Sequence, residues 1–225
     1  MTVLAKETDQ GVSLIREDVC RVLRKEILCC TLPPGTALHE QELAARFGSS
    51  KSPVRDALLS LERESLVVVV PRQGYRVSQV SVSDAKDMFQ LRAILEVGCV
   101  SAAIANASDE TLTELDVYRQ FIGDTDPSSF IDYNCRFHSD LARCSGNRRL
   151  QKATCSLIEH MDRVIYISMS AIKGHDPQQL VDEHASIIDA VQDRNVRRAR
   201  QLAQSHIKRA EKRVLKALDW AFVVP

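Results

Sequence analysis

Three histidines carry the most demanding chemistry in this chain. His138 lies one helical turn after Asn134, level with Phe130 and Leu141; His184 sits between Leu180 and the pair Ile187 and Ile188; His206 sits between Ala203 and Ala210. On helical spacing each points into an apolar interior. A buried imidazole needs a partner, because desolvating its nitrogens unpaired is costly. Either each histidine bonds a separate nearby carbonyl, or one divalent ion satisfies all three and keeps an open position, as zinc does on three protein ligands. Arg92 shares a face with Met88, Leu91, Leu95 and Cys99, so its guanidinium also turns inward, where it suits a small carboxylate. Arg163, on the edge of its helix's apolar face, is a weaker candidate for that anion, with a surface role as the alternative.

A second group of residues is suited to a polyanion. The run Gly48–Leu66 reads GSSKSPVRDALLSLERESL. Ser50 can cap a helix, and Pro53 falls in the first turn, where no intrahelical N–H is lost. Val54, Leu58, Leu61 and Leu66 bury the back of that helix and leave Ser50, Lys51, Ser52 and Arg55 at its front. In a DNA major groove Arg55 can make the bidentate contact to a guanine edge. Ser50 and Ser52 suit phosphates, together with the helix N-terminus.

The elements that must hold these groups follow from periodicity. A helix is expected over Ser13–Cys30, stopped by Pro33-Pro34-Gly35, and a shorter one over Glu40–Phe47, ended by Gly48. After the Ser50 helix, Val67–Val70 and Tyr75–Val77 flank the turn Pro71–Gly74 and read as a hairpin. Arg72, Gln73 and Gly74 form its tip, where glycine permits close approach to phosphate or minor groove. Three helices and a hairpin make a winged helix-turn-helix. The polar stretch 78–83 marks a boundary, giving residues 1–78 as a DNA-binding domain and 79–225 as an all-helical one. Helices are expected there over Ser83–Asn106, Asp109–Gly123, Ser128–Cys144, Arg149–Ile172, Pro177–Asp193 and Val196–Trp220. The fold class is therefore mainly α.

Formal net charge is zero, so any case for nucleic acid rests on local charge. The last helix carries nine cations against one acid between Arg194 and Lys216, and an apolar seam between them assigns those charges to a solvent face. The seven cysteines form no CxxC pair, which suits reduced thiols in the cytoplasm. No secretory signal is evident, and no apolar run approaches the ~20 residues that span a bilayer.

The stretch LPPGTALHEQELAARFGSSKSPVRDALLSLERESLVVVVPRQGYRV closely resembles the N-terminal domain of GntR-type bacterial transcription regulators. LRAILE, FH (Phe137–His138), SGN (Ser145–Asn147), EHASII and the late His206 resemble the FCD effector domain of their FadR subgroup. The resemblance implies a DNA-binding regulator, a repressor acting as a homodimer on pseudo-palindromic operator DNA and released by a small organic acid. It adds Gln41 to the residues facing DNA. It also implies that His138, His184 and His206 bind a divalent metal together with Asn134, which stands where many members carry Asp; zinc is expected first, nickel or manganese after it. Two rival readings are a metal-dependent hydrolase and a purely structural metal site. Against the hydrolase, Glu183 precedes His184 and so points about 100° away from it, leaving no inward general base. Finally, Ser65 replaces the family's usual glycine, a costly choice if that position requires positive φ.

Overall fold

The computed structural model describes residues 3–123, 127–171 and 177–221, and the chain divides into two compact units, Met1–Val80 and Ser81–Pro225. The expected break at Gly174–Pro177, the residue Ile172 and His175 fall at or outside the limits of the described residues.

In the first unit, α1 (Val3–Leu28), α2 (Glu40–Arg46) and α3 (Lys51–Arg63) pack around β1 (Ala37–Leu38), β2 (Val67–Val70) and β3 (Gly74–Val77). The expected hairpin forms, with Val67 opposite Val77 and Val70 opposite Gly74, so that Gly74, read as the end of the turn, begins β3. The two-residue β1 was not expected. It pairs antiparallel with β3 to complete a sheet of order β1-β3-β2, and two residues are too short for a periodicity to show. Val19, Leu23 and Ile27 of α1 meet Val54, Ala57, Leu58 and Leu61 of α3 over Leu38, Val67, Tyr75 and Val77. This core fixes α3 by its back half.

Both α2 and α3 end in Schellman-type caps. After α2, Gly48 N–H donates to Ala45 O and Ser49 N–H to Ala44 O; after α3, Ser65 N–H donates to Glu62 O and Leu66 N–H to Leu61 O. Ser65 therefore takes the left-handed position, at φ 59°, the positive φ under which the expected cost of serine there applies.

The second unit contains α4 (Val82–Asn106), α5 (Asp109–Thr113), α6 (Pro127–Cys144), α7 (Arg148–Ala171), α8 (Pro177–Gln192) and α9 (Val196–Ala221). Helix α4 is central and packs on α6, α7 and α9. By length and composition α4 could cross a membrane, which corrects the expectation that no segment approaches that length. In the fold it is instead a core helix bearing a buried Arg92–Glu96 ion pair. The single helix expected over Asp109–Gly123 is replaced by α5 and a 3₁₀ segment, Glu114–Tyr118. Tertiary bonds hold it there: Gln192 donates to Leu112 O, and Arg119 bridges Asp116 and Asp189.

Candidate metal centre and nucleic-acid interface

Phe130, Phe137 and Leu141 seat the inner face of α6 in the core, and the same face carries Asn134 and His138. Val181, Ile187 and Ile188 orient α8 around His184, and Ala203 and Ile207 orient α9 around His206. The three imidazoles converge: each offers a nitrogen within 4.8 Å of the others', and all are at most 1% exposed. His184 stacks on Phe137 with ring centroids 3.9 Å apart.

The hydrogen bonds define the tautomers. His206 Nδ1 lies 2.7 Å from Glu183 Oε2, so it must carry the proton and donate, leaving Nε2 a bare lone pair. Tyr133 spends its hydroxyl proton on Tyr118 O at 2.6 Å, so at 3.2 Å its oxygen accepts from His184 Nδ1–H. His184 Nε2 is then also a bare lone pair. Both Nε2 atoms are buried without a hydrogen-bond partner. For His138, Nε2 accepts from the Arg92 guanidinium at 2.6 Å, so Nδ1 carries the proton; it lies 3.1 Å from Glu96 Oε2, outside hydrogen-bond geometry.

Electrostatics keep these rings neutral. Burial lowers the His138 pKa to about 4; the Glu96 charge opposes the shift and Arg92 reinforces it. Burial likewise pushes His184 well below its ordinary value, and lowers His206 against the pull of Glu183. Burial alone would raise Glu96, but Arg92 and His138 outweigh it and hold the carboxyl far below the ordinary range. Neutral imidazoles with their second nitrogens oriented by carboxylate or hydroxyl groups are what a divalent cation requires. This buried three-histidine cluster could bind a metal.

A cavity of about 40 Å³ adjoins it, lined by Arg92, Asn134, Ser168, His206 and Arg213 among its polar groups and by Phe130, Met169 and Leu180 among its apolar ones. Asn134 is therefore brought to the site. Arg163 is buried, at 6% exposure, which sets aside its surface reading.

Two expectations need correction. Carboxylates do accompany the histidines. Glu183 is buried because its rotation away from His184 carries it toward α9, where it meets His206, Arg209 at 2.8 Å and Arg213 at 3.9 Å. Committed to these partners, it is not a free base. Nor are the cations of α9 all on a solvent face: Arg213 lines the cavity, and burial lowers its pKa. Glu96 could have been found in the sequence, four residues after Arg92 on the same inward face. Glu183 and Arg213 left no such signal.

In the first unit Gln41, Ser50, Lys51, Ser52, Arg55, Arg72 and Gln73 are all exposed. Ser50 is the N-cap residue of α3, in extended conformation, yet its hydroxyl makes no capping bond. Lys51 Nζ reaches Gln41 Oε1 at 3.5 Å, which puts those two side chains together, while Arg55 approaches Glu40 only to 3.9 Å. By contrast, Arg46 is tied to Glu26 and Arg24 to Glu64. At the hairpin tip Arg72 has φ 64° and Gly74 φ 96°; a Cβ on Gly74 would stand 3.1 Å from Leu38 O. Arg76, exposed on β3, is a further cation of this unit that the sequence reading left out.

A winged helix-turn-helix joined in one chain to a helical bundle is the layout of a class of DNA-binding transcription regulators. Family models agree: residues 15–77 match "Bacterial regulatory proteins, gntR family" and residues 87–209 match the "FCD domain". The chain belongs to the GntR family of transcriptional regulators and carries an FCD domain. It is 33% identical over 195 residues to an HTH-type transcriptional regulator in an unstable DNA locus of Streptomyces ambofaciens, covering 86% of this chain and 82% of that one. It is 26% identical over 190 residues to the HTH-type transcriptional repressor RspR of Escherichia coli, covering 80% of each. Its fold is similar to that of McbR/YncC of E. coli, with a TM-score of 0.76 and 21% identity over 90% of this chain and 97% of that one.

Proposed function

We propose that this regulator is a homodimeric repressor whose hold on operator DNA is set by a small carboxylate bound beside a metal in the helical unit. The observation that supports it best is the pair of bare, buried Nε2 atoms on His184 and His206, each fixed by a partner on Nδ1. His138, His184 and His206 hold the ion, with Asn134 as an oxygen ligand. Zinc is favoured by three imidazoles in a closed apolar setting, with nickel or manganese as alternatives. The bound ion supplies an open coordination position for an anion. Arg92 pairs with that anion, and Arg213 on the same cavity adds a second guanidinium. At about 40 Å³ the cavity has room for little more than water, so a carboxylate enters only as these arginines move.

On DNA, Arg55 reads a base edge, while Ser50, Lys51, Ser52 and Gln41 hold phosphates. Arg72, Gln73 and Gly74 bring the wing to the adjoining groove. A head with so few cations binds weakly alone, so two heads in a dimer are needed, and control of their placement is the switch. The relatives' regulatory role, and the name of RspR as a repressor, support repression in the cytoplasm.

The test combines metal analysis with operator binding. Purified protein should carry close to one divalent ion per chain, and a chelator should lower its melting temperature. A thermal-shift screen of small organic acids should yield a hit that releases operator DNA. Protein that takes up no metal, with stability and DNA affinity indifferent to chelator, would refute the reading.

A further inference from the structure

Of the three Nε2 lone pairs in the cluster, those of His184 and His206 have no partner, while that of His138 is taken by Arg92 Nη2 at 2.6 Å. The direction of that bond is fixed. A guanidinium only donates, and it keeps its proton in proteins. His138 Nδ1, facing Glu96 Oε2 at 3.1 Å, holds the ring's own proton. Arg92 is 1% exposed, so its position is built into the core.

A metal–imidazole bond of ~2.0–2.1 Å uses the same lone pair that the guanidinium now occupies. The two cannot share it, and a buried positive charge beside a divalent ion is repelled as well. We propose that Arg92 and the metal compete for His138 Nε2, so that loading the site releases the Arg92 guanidinium to bind the effector anion. This rests on the metal reading above and adds the order of events.

The surroundings allow the movement. Arg92 Nε is held separately by Glu96 Oε1 at 2.6 Å, so the side chain can pivot on that bond and need not leave the core. Arg92 already lines the cavity shared with Asn134, Ser168 and Arg213. A further acceptor lies within its electrostatic reach: Asp162, whose Oδ1 is buried without a hydrogen-bond partner, feels the Arg92 charge. Metal and anion then bind with positive coupling, and linkage requires each to raise the affinity of the other equally.

Co²⁺ is the probe, read by its visible absorption and by competition with a chelator, with circular dichroism as the check on folding. Arg92→Met keeps the unbranched apolar stem and removes the guanidinium donors; it should bind Co²⁺ about ten- to a hundredfold more tightly than the wild type. Comparing Glu96→Gln with Arg92→Met/Glu96→Gln makes the same measurement without stranding a buried carboxylate. Acetate should strengthen Co²⁺ binding to the wild type and lose that effect in Arg92→Met. Equal Co²⁺ affinities, with an absorption band abolished by His184→Ala, would overturn the competition and leave the metal reading standing. Acetate that acts alike on both proteins, or on neither, would overturn the release of Arg92. A missing His184-dependent band in every variant would overturn the metal reading, and the competition with it.

Discussion

Glu183 is the group through which α8 and α9 are joined at the histidine cluster, and its removal should be felt in stability and in metal affinity separately. Its carboxylate accepts from His206 Nδ1 at 2.7 Å and from Arg209 Nε at 2.8 Å, and lies 3.9 Å from Arg213. In Glu183→Ala the His206 N–H is left as a buried, unsatisfied donor, which costs ~1–3 kcal/mol. Arg209 is 45% exposed and turns to water, so its share is below about 1 kcal/mol. Arg213 is 24% exposed and loses its nearby counter-charge, adding about 1 kcal/mol by the same reasoning. The expected loss is about 2–5 kcal/mol, or roughly 5–15 °C in melting temperature for a unit of this size. Thermal unfolding followed by far-UV circular dichroism, with chelator present, isolates this term from metal binding. Glu183 is held below its ordinary pKa by His206 and Arg209 against the effect of burial. Its contribution is therefore present above ~4.3 and is lost as pH falls through the folded-state value. The gap between wild type and variant should be constant from neutral pH down to about 5 and close below about 4. In metal titrations the variant should bind about ten- to a hundredfold more weakly, because His206 loses its orienting acceptor. A Glu183→Ala protein within ~0.5 kcal/mol of wild type at pH 7 would refute this account of the site.

Other perturbations test separate parts of the structure. The folded-state pKa of His138, near 4, lies below its unfolded value, so the metal-free protein should lose stability as pH falls from 7 toward 4, as the unfolded imidazole gains its proton first. Asp162 acts in the opposite sense: burial, with Asp132 and Glu159, raises it to about 7, so protonation stabilises the fold as pH falls through that value. Asp162→Asn should steepen the net decline and raise stability at pH 8 by about 1–4 kcal/mol, measured by urea unfolding across pH. Ser65→Gly should stabilise the first unit by ~0.5–1 kcal/mol by relieving the left-handed strain at φ 59°, while Gly48→Ala should do the reverse at φ 58°. On operator DNA, Arg55→Ala should weaken binding by ~1–3 kcal/mol per head and relax preference at one base pair, whereas Lys51→Ala should lower the salt slope by ~1 without changing sequence preference.

Both architectures, and the inward direction of three histidines, could be read from residue order alone. Periodicity alone turned His138, His184 and His206 inward, and an apolar interior that receives three imidazoles must satisfy them together or separately. The Ser65 strain was foreshadowed only by the family resemblance, which implies glycine there; the positive φ of 59° supplies its physical reason. Which groups complete the cluster depends on packing between helices. A helical wheel says that Glu183 points away from His184, but whether that direction leads to water or to a neighbour depends on where α9 lies. Arg213 and Arg163 show the same limit: Arg213, read as solvent-facing, lines the cavity, and Arg163, for which a surface role was the alternative, is buried. Arg92 was correctly turned inward, yet its partner, the lone pair on His138, belongs to a helix 46 residues away in sequence. Periodicity assigns a side chain to a face of its own helix; the packing of α4, α6, α8 and α9 decides what that face meets.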